Sequence, residues 1–239
     1  MAKRLIQTFR FDSQASRPRH GVALVYDLEG FSKFFNQPDV QHYVPDFLNH
    51  INEALSGVFS GKNNYWEGDE EDSGSLLHPV HEKFLGDGAL YIWTPPAREV
   101  TFSDDFAILL CNRLWNLKTN FPTVLRQAAD KVPVVDLPQR IRFGLARGTV
   151  YELTRKGTTR REFIGFCINL ASRLQKYCPD LGFIASARIG VPASILEENE
   201  YMKVVATRLR GFPDEIVVVD RGEYERLDEQ TRDQLFRVL

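Results

Sequence analysis

The chain has 239 residues, 43% of them hydrophobic, enough for one packed domain without disulfide staples. Its formal net charge of −2 excludes the global basic field that recruits nucleic acid or anionic lipid. Three cysteines, Cys111, Cys167 and Cys178, are odd in number and lack CxxC spacing, which suits a reducing compartment. No apolar run approaches the roughly 20 residues of a membrane span, and the charged residues 1–10 lack the apolar core of a signal peptide. The expectation is a soluble, cytoplasmic protein with no direct membrane insertion.

Residues 1–20 are polar and basic and read as an arm. The run Val22-Ala-Leu-Val-Tyr-Asp27 predicts a buried strand ending on a carboxylate, and Gly30 predicts a turn into a helix. Gly30 also permits close backbone approach to a phosphate, with helix-start N–H groups following. Residues 39–57 carry apolar positions at helical spacing, with Pro45 in a first turn or at a kink. The acidic stretch 61–79 contains Gly and Ser and reads as a solvated loop or insertion. His78 and His81 have loose ligand spacing but no further Cys or His nearby, so no zinc site is expected.

Strands are expected near 81–85 and 89–94. The Gly86-Asp87-Gly88 between them is a hairpin signal that places a second carboxylate at a strand end. Residues 103–130 read as a helix. Residues 140–153 read as a strand entering a hairpin with a basic tip at 155–161, and 163–178 as a strand end becoming a helix. Further strands are expected at 183–186, 201–207 and 215–219, and the tail 221–239 is expected as one C-terminal helix. The order strand–helix–hairpin–helix–strand predicts an α+β, ferredoxin-like fold with a mostly antiparallel central sheet.

Two strand-end carboxylates, Asp27 and Asp87, suit hard divalent ions bound together with phosphate oxygens. Asn169 and Arg173 are four apart and share a helix face. An Asn can orient a ribose, and an Arg can neutralise charge on a transferring phosphoryl group. Each pair alone is also compatible with a cap, a turn or a surface position.

Four segments occur in order: Asp27-Leu-Glu-Gly-Phe-Ser, Lys83-Phe-Leu-Gly-Asp-Gly, Ile141-Arg-Phe-Gly-Leu-Ala-Arg-Gly-Thr-Val and Gly165-Phe-Cys-Ile-Asn169-Leu-Ala-Ser-Arg173. Together they resemble the class III nucleotidyl cyclase catalytic domain. Thr207-Arg-Leu-Arg-Gly211 resembles its closing segment, and the resemblance covers about residues 20–220 of a single domain spanning 1–239. It implies a head-to-tail homodimer with two composite active sites and two divalent cations per site, Mn²⁺ or Mg²⁺. It implies metal binding by Asp27 and Asp87, with backbone contacts to metal or phosphate from Leu28, Gly30 and Phe31. From the facing subunit it implies Lys83 and Glu162 on the base and Asn169 and Arg173 in catalysis, with Arg210 on phosphate. Glu162 departs from the Asp or Thr usual in adenylate cyclases. Lys83 departs from the Glu usual in guanylate cyclases.

The finer resemblance is to the pyrimidine cyclases of the Pycsar antiphage system, through Asp27-Leu-Glu-Gly-Phe-Ser-Lys-Phe-Phe, Gly86-Asp-Gly-Ala-Leu-Tyr-Ile-Trp and Asn169-Leu-Ala-Ser-Arg-Leu-Gln-Lys-Tyr-Cys-Pro. It implies UTP or CTP as substrate and cyclic UMP or cyclic CMP as a messenger for a separate cyclic-nucleotide-sensing effector. Tyr43 is a candidate to fill a pocket sized for the smaller base, or else a core or interface aromatic. The alternatives are an adenylate cyclase and an inactive nucleotide-binding module of the same fold. A polymerase palm shares the two-Asp logic, but the Asn169/Arg173 helix and the lack of basic tracts oppose it.

Overall fold

The computed structural model describes residues 11, 17–60, 76–97, 99–130, 132, 136–154, 156–157 and 161–239. Most of the arm expected at 1–20, most of the insertion expected at 61–79 and most of the tip at 155–161 lie outside the described residues.

Strand β1 (Arg19–Glu29) is the axis of the sheet. Its even residues Val22, Leu24, Tyr26 and Leu28 enter one apolar cluster, and Ala23 and Val25 enter another on the opposite face. Burial on both faces is why the strand reads as an unbroken apolar run. It does not end at Asp27 as expected. Asp27, Leu28 and Glu29 stay paired with Arg142, Ile141 and Arg140 of β4 (Arg140–Thr154), and this ladder carries the strand two residues further.

Gly30 has φ +86°, the left-handed conformation that favours glycine, and turns the chain into α1 (Phe31–Phe35). The helix expected over 39–57 is divided. A 3-10 turn at Val40–His42 follows Asp39, itself at φ +61°, and α2 runs Val44–Ser60. Pro45 lies in the first turn of α2, where its missing N–H costs no intrahelical bond.

β2 (His81–Phe84) and β3 (Gly88–Trp93) form the expected hairpin, closed by Leu85 N–H donating to Gly88 O at 2.8 Å. Helix α3 (Asp104–Ala129) packs with α2 on the even-residue face of β1. β4 turns back into β5 (Arg161–Gly165), which leads directly into α4 (Phe166–Gln175) on the other face. β6 (Phe183–Ser186), α5 (Ala193–Glu198), β7 (Tyr201–Ala206) and β8 (Glu215–Asp220) follow.

The strand order is β2-β3-β1-β4-β6-β8-β7 and then β9 (Phe236–Val238), with β5 paired to β4 off that path. β4 and β6 run parallel, and the other described pairings are antiparallel. This is the α+β class expected, with the sheet between two helical layers. The tail differs from the single C-terminal helix expected at 221–239. Asp220 caps α6 (Arg221–Arg226) and Asp228 caps α7 (Glu229–Leu235), each accepting a backbone N–H three residues on. Phe236 then packs into the core, and β9 (Phe236–Val238) pairs with β7. Two capping aspartates eight residues apart mark two short helices rather than one long one.

One close approach fixes α4. A Cβ on Gly144 of β4 would lie 2.1 Å from the Ala171 carbonyl oxygen and 2.4 Å from Gln175 N. Only glycine lets the helix backbone rest on the strand there.

Candidate active site

Asp27 and Asp87 are brought together by the β1–β3 ladder. Asp27 pairs in register with Gly88, and the Asp87 carbonyl accepts the Leu28 N–H at 3.0 Å. The Leu28 amide is therefore committed to the β2–β3 turn. Gly30 and Phe31 follow at the entry to α1. Phe31, Phe35, Val44, Leu48 and Phe84 line an apolar cleft of about 540 Å³ with Asp87 at its rim. Tyr43 is half-buried against the main core beside Val44 and is not among the residues lining that cleft.

Arg142 has no role in the sequence reading. In the structure its Nη2 donates to Asp27 Oδ2 at 2.5 Å, and both side chains are more than four-fifths buried. The buried Nε of Arg142 has no partner among the described residues. The signal that finds it is register: Asp27 lies directly opposite Arg142, and cross-strand partners share a face. This guanidinium adds positive charge where Asp27 and Asp87 add negative.

Lys83 and Glu162 lie on β2 and β5, strands that are not sheet neighbours. Their side chains nevertheless meet, with Lys83 Nζ 3.6 Å from Glu162 Oε2. The His81 and Phe163 rings, at 4.9 Å, make a second contact between the same strands. β2 is further anchored by Tyr91, whose hydroxyl donates to Glu82 at 3.1 Å. Burial, then the neighbouring Tyr26 and Glu82, push the Tyr91 phenol far above its ordinary pKa, so it stays a donor. Lys83 pairs in register with Leu90, and through it with Val25 and Gly144. Lys83 therefore projects on the α4 face of the sheet, one row of side chains from Asp27 and Arg142.

Asn169 and Arg173 project from α4 and are exposed. With Ser172, Arg210, Gly211 and Phe212 they line a cleft of about 360 Å³. The candidate phosphate ligand Arg210, 37 positions beyond Arg173 in the numbering, thus meets both candidate catalytic residues. The cleft holding Asp87 and the cleft holding Asn169, Arg173 and Arg210 share no lining residue.

Asp27 and Asp87 supply hard oxygen donors, but among the described residues no group of three or more His, Cys, Asp or Glu could hold a metal. Two carboxylates are the protein's usual share where a magnesium-type ion completes its shell with water and substrate phosphates. The donor set fits divalent ions that arrive with a polyphosphate, not a self-sufficient metal cage.

No protein-family model matches the chain, and no curated protein matches it. Solved structures do. The adenylyl cyclase CyaB from P. aeruginosa is similar at 18% identity and a TM-score of 0.60, over 86% of this chain and 96% of that one. The guanylyl cyclase Cya2 is similar at 16% identity and 0.58, over 87% and 93%. A bacterial light-regulated adenylyl cyclase is similar at 13% identity and 0.54, over 87% of this chain and 53% of its own. The chain has the fold of a class III nucleotidyl cyclase catalytic domain. No described helix is long and apolar enough to cross a membrane.

Proposed function

We propose that this protein is a nucleotidyl cyclase that converts a nucleoside triphosphate to its 3′,5′-cyclic monophosphate and pyrophosphate. The observation that carries the reading is that Asn169, Arg173 and Arg210 line one cleft, while Asp87, held next to Asp27 by the β1–β3 ladder, lines another. A single chain then holds two incomplete halves, and a head-to-tail homodimer joins the carboxylates of one subunit to the Asn–Arg–Arg cleft of its partner, twice over.

Asp27 and Asp87 would hold two Mg²⁺ or Mn²⁺ ions, which when bound lower the pKa of the ribose 3′-hydroxyl and screen the phosphates. The 3′-oxygen gives its proton to solvent water and bonds to the α-phosphorus, and the bond from the α-phosphorus to the β-bridging oxygen breaks with its electron pair kept by the departing pyrophosphate. Arg173 neutralises charge developing on the α-phosphoryl oxygens, worth about 10³ to 10⁵ in rate for such arginines. Asn169 orients the ribose. Arg210 receives the β- and γ-phosphates that leave as pyrophosphate, and Arg142 stays paired with Asp27. Lys83 and Glu162 offer one donor and one acceptor to the base edge, so a mismatched base leaves buried polar groups unpaired.

The substrate we favour is a pyrimidine nucleotide, UTP before CTP. Support comes from the Lys83–Glu162 pair, which differs from both the adenylate and the guanylate patterns, and from the resemblance to the Pycsar cyclases. The product would be a messenger for a separate effector in antiphage defence. Adenylate cyclisation is the competing reading, since adenylyl cyclases are among the structures of similar fold. Incubating the full chain with ATP, GTP, CTP and UTP, each with Mg²⁺ or Mn²⁺, separates them. Cyclic UMP or cyclic CMP as the main product supports the pyrimidine reading, and exclusive cyclic AMP overturns it. No cyclic product with any of the four overturns the enzyme reading.

A further inference from the structure

The turn that presents Arg210 is held by a chain of contacts that begins in the sheet. Glu215 opens β8 and is only 3% exposed. A carboxylate at that depth is costly unless fully paired. It accepts Ser186 Oγ at 2.7 Å, Arg188 Nε at 2.8 Å and Arg188 Nη2 at 3.0 Å. Two parallel bonds from one guanidinium fix its plane as well as its position.

The Arg188 side chain is 57% exposed, and its guanidinium carbon lies over the Phe166 ring, 5.5 Å from the ring centre. Phe166 is the first residue of α4. It meets Phe212 edge to face, with centroids 5.4 Å apart and planes at 78°. Phe212 N–H donates to Leu209 O at 2.9 Å, closing the turn whose tip is Arg210-Gly211. Leu209 is 3% exposed and sits in the core. One foot of the turn is thus buried, and the other rests on the helix that carries Asn169 and Arg173.

We propose that Arg188, clamped by Glu215, is a positioning residue of the triphosphate site. It holds Phe166 and Phe212 so that Arg210 faces the same cleft as Asn169 and Arg173. The proposal rests on the reading of Arg210 as a phosphate ligand. Arg188 touches no substrate; it acts through two aromatic rings. The ring beneath this cation is itself 38% exposed and joined to the Arg210 turn, so the contact lies at the cleft rather than in the core.

The test is calorimetric binding of inorganic triphosphate with Mg²⁺ to the full-length protein, alongside KM and kcat for the nucleotide it turns over. Arg188→Ala removes the clamp. Arg188→Lys keeps a cation beside Glu215 but loses the bidentate geometry that fixes the guanidinium over Phe166. Phe166→Leu keeps an apolar side chain and loses the ring, so it tests the chain even if Arg188→Ala does not fold. Each folded variant should bind triphosphate about fivefold more weakly, the scale of one lost cation–π contact. KM should rise by a similar factor with kcat changed less. Wild-type triphosphate affinity in folded Arg188→Lys or Phe166→Leu overturns the inference and leaves the cyclase reading intact. Failure of the wild-type protein to bind triphosphate overturns the inference together with the assignment of Arg210.

Discussion

Lys83 of β2 and Glu162 of β5 form an ion pair, 3.6 Å from Nζ to Oε2, across strands that do not adjoin in the sheet. An ammonium and a carboxylate held side by side present a donor and an acceptor at a fixed spacing, which is what reading a base edge requires. Lys83→Ala and Glu162→Ala should each lower kcat/KM for the preferred nucleotide by about 10²-fold, because each strands a polar group of the bound base. Discrimination among the four triphosphates should narrow. The melting temperature should change little, since the Lys83 side chain is 48% exposed and such pairs contribute little to stability. An unchanged preference profile in both variants removes the pair from base recognition.

The two acidic residues should separate activity from stability. Asp87 lies in the β2–β3 turn at the rim of a cleft, so Asp87→Ala should abolish turnover with the melting transition preserved. Asp27→Ala should also abolish turnover, and it leaves the largely buried Arg142 without its counter-ion. That variant should lose about 3 kcal/mol of stability, as expected when one partner of a buried pair is removed. Urea titrations of the two variants check the contrast. Equal stability in both would mean that the Asp27–Arg142 contact contributes nothing to the fold.

Gly144→Ala should destabilise the protein by about 2 kcal/mol or more, because the added methyl would lie 2.1 Å from the Ala171 carbonyl and α4 must lift to admit it. Activity should fall further than stability explains, since α4 carries Asn169 and Arg173. A variant with wild-type melting temperature and wild-type kcat contradicts the packing described.

Stability toward acid should depend on Lys118. Burial alone would raise the Asp220 pKa. The Lys118 ammonium at 2.7 Å and the Glu223 N–H outweigh it and hold the carboxyl below its ordinary value. A folded-state pKa below the unfolded value of about 3.9 means stability present above that pH and lost as the pH falls through the folded value. In Lys118→Met the holding charge is gone, so the variant should be less stable at neutral pH and lose less on acidification, and its melting temperature should approach that of the wild type as the pH falls below about 4. A gap that stays constant with pH would show that Asp220 does not govern the acid limb.

Much of the candidate site's layout was legible because its residues sit on sequence-local devices. An apolar run broken by a carboxylate marked Asp27, a Gly-Asp-Gly hairpin marked Asp87, and helical spacing joined Asn169 to Arg173. Arg142 carried no such mark, because its value lies in the β1–β4 register, and nothing in residues 140–153 states which residue faces Asp27. The single helix expected at the C-terminus failed for a related reason. Helical spacing continues across Leu227, while Asp228 restarts the helix and Phe236 is drawn into a core that only the folded sheet creates. The extension of β1 to Glu29 likewise follows from pairing with β4, a partner more than 100 positions away in the chain. The chain of contacts from Glu215 through Arg188 to Phe212 is tertiary throughout.

In the proposed dimer the Asp27/Asp87 pair of one subunit works with the Asn169/Arg173 pair of the other. Mixing inactive Asp87→Ala with inactive Arg173→Ala, unfolded together and refolded in equal amounts, tests it most directly. If the sites are composite, half of the dimers carry one variant of each kind, and each of these has one of its two sites intact. Activity should return to about a quarter of wild type. Activity no higher than that of either variant alone, in a mixture shown to exchange subunits, would rule out sites shared between subunits.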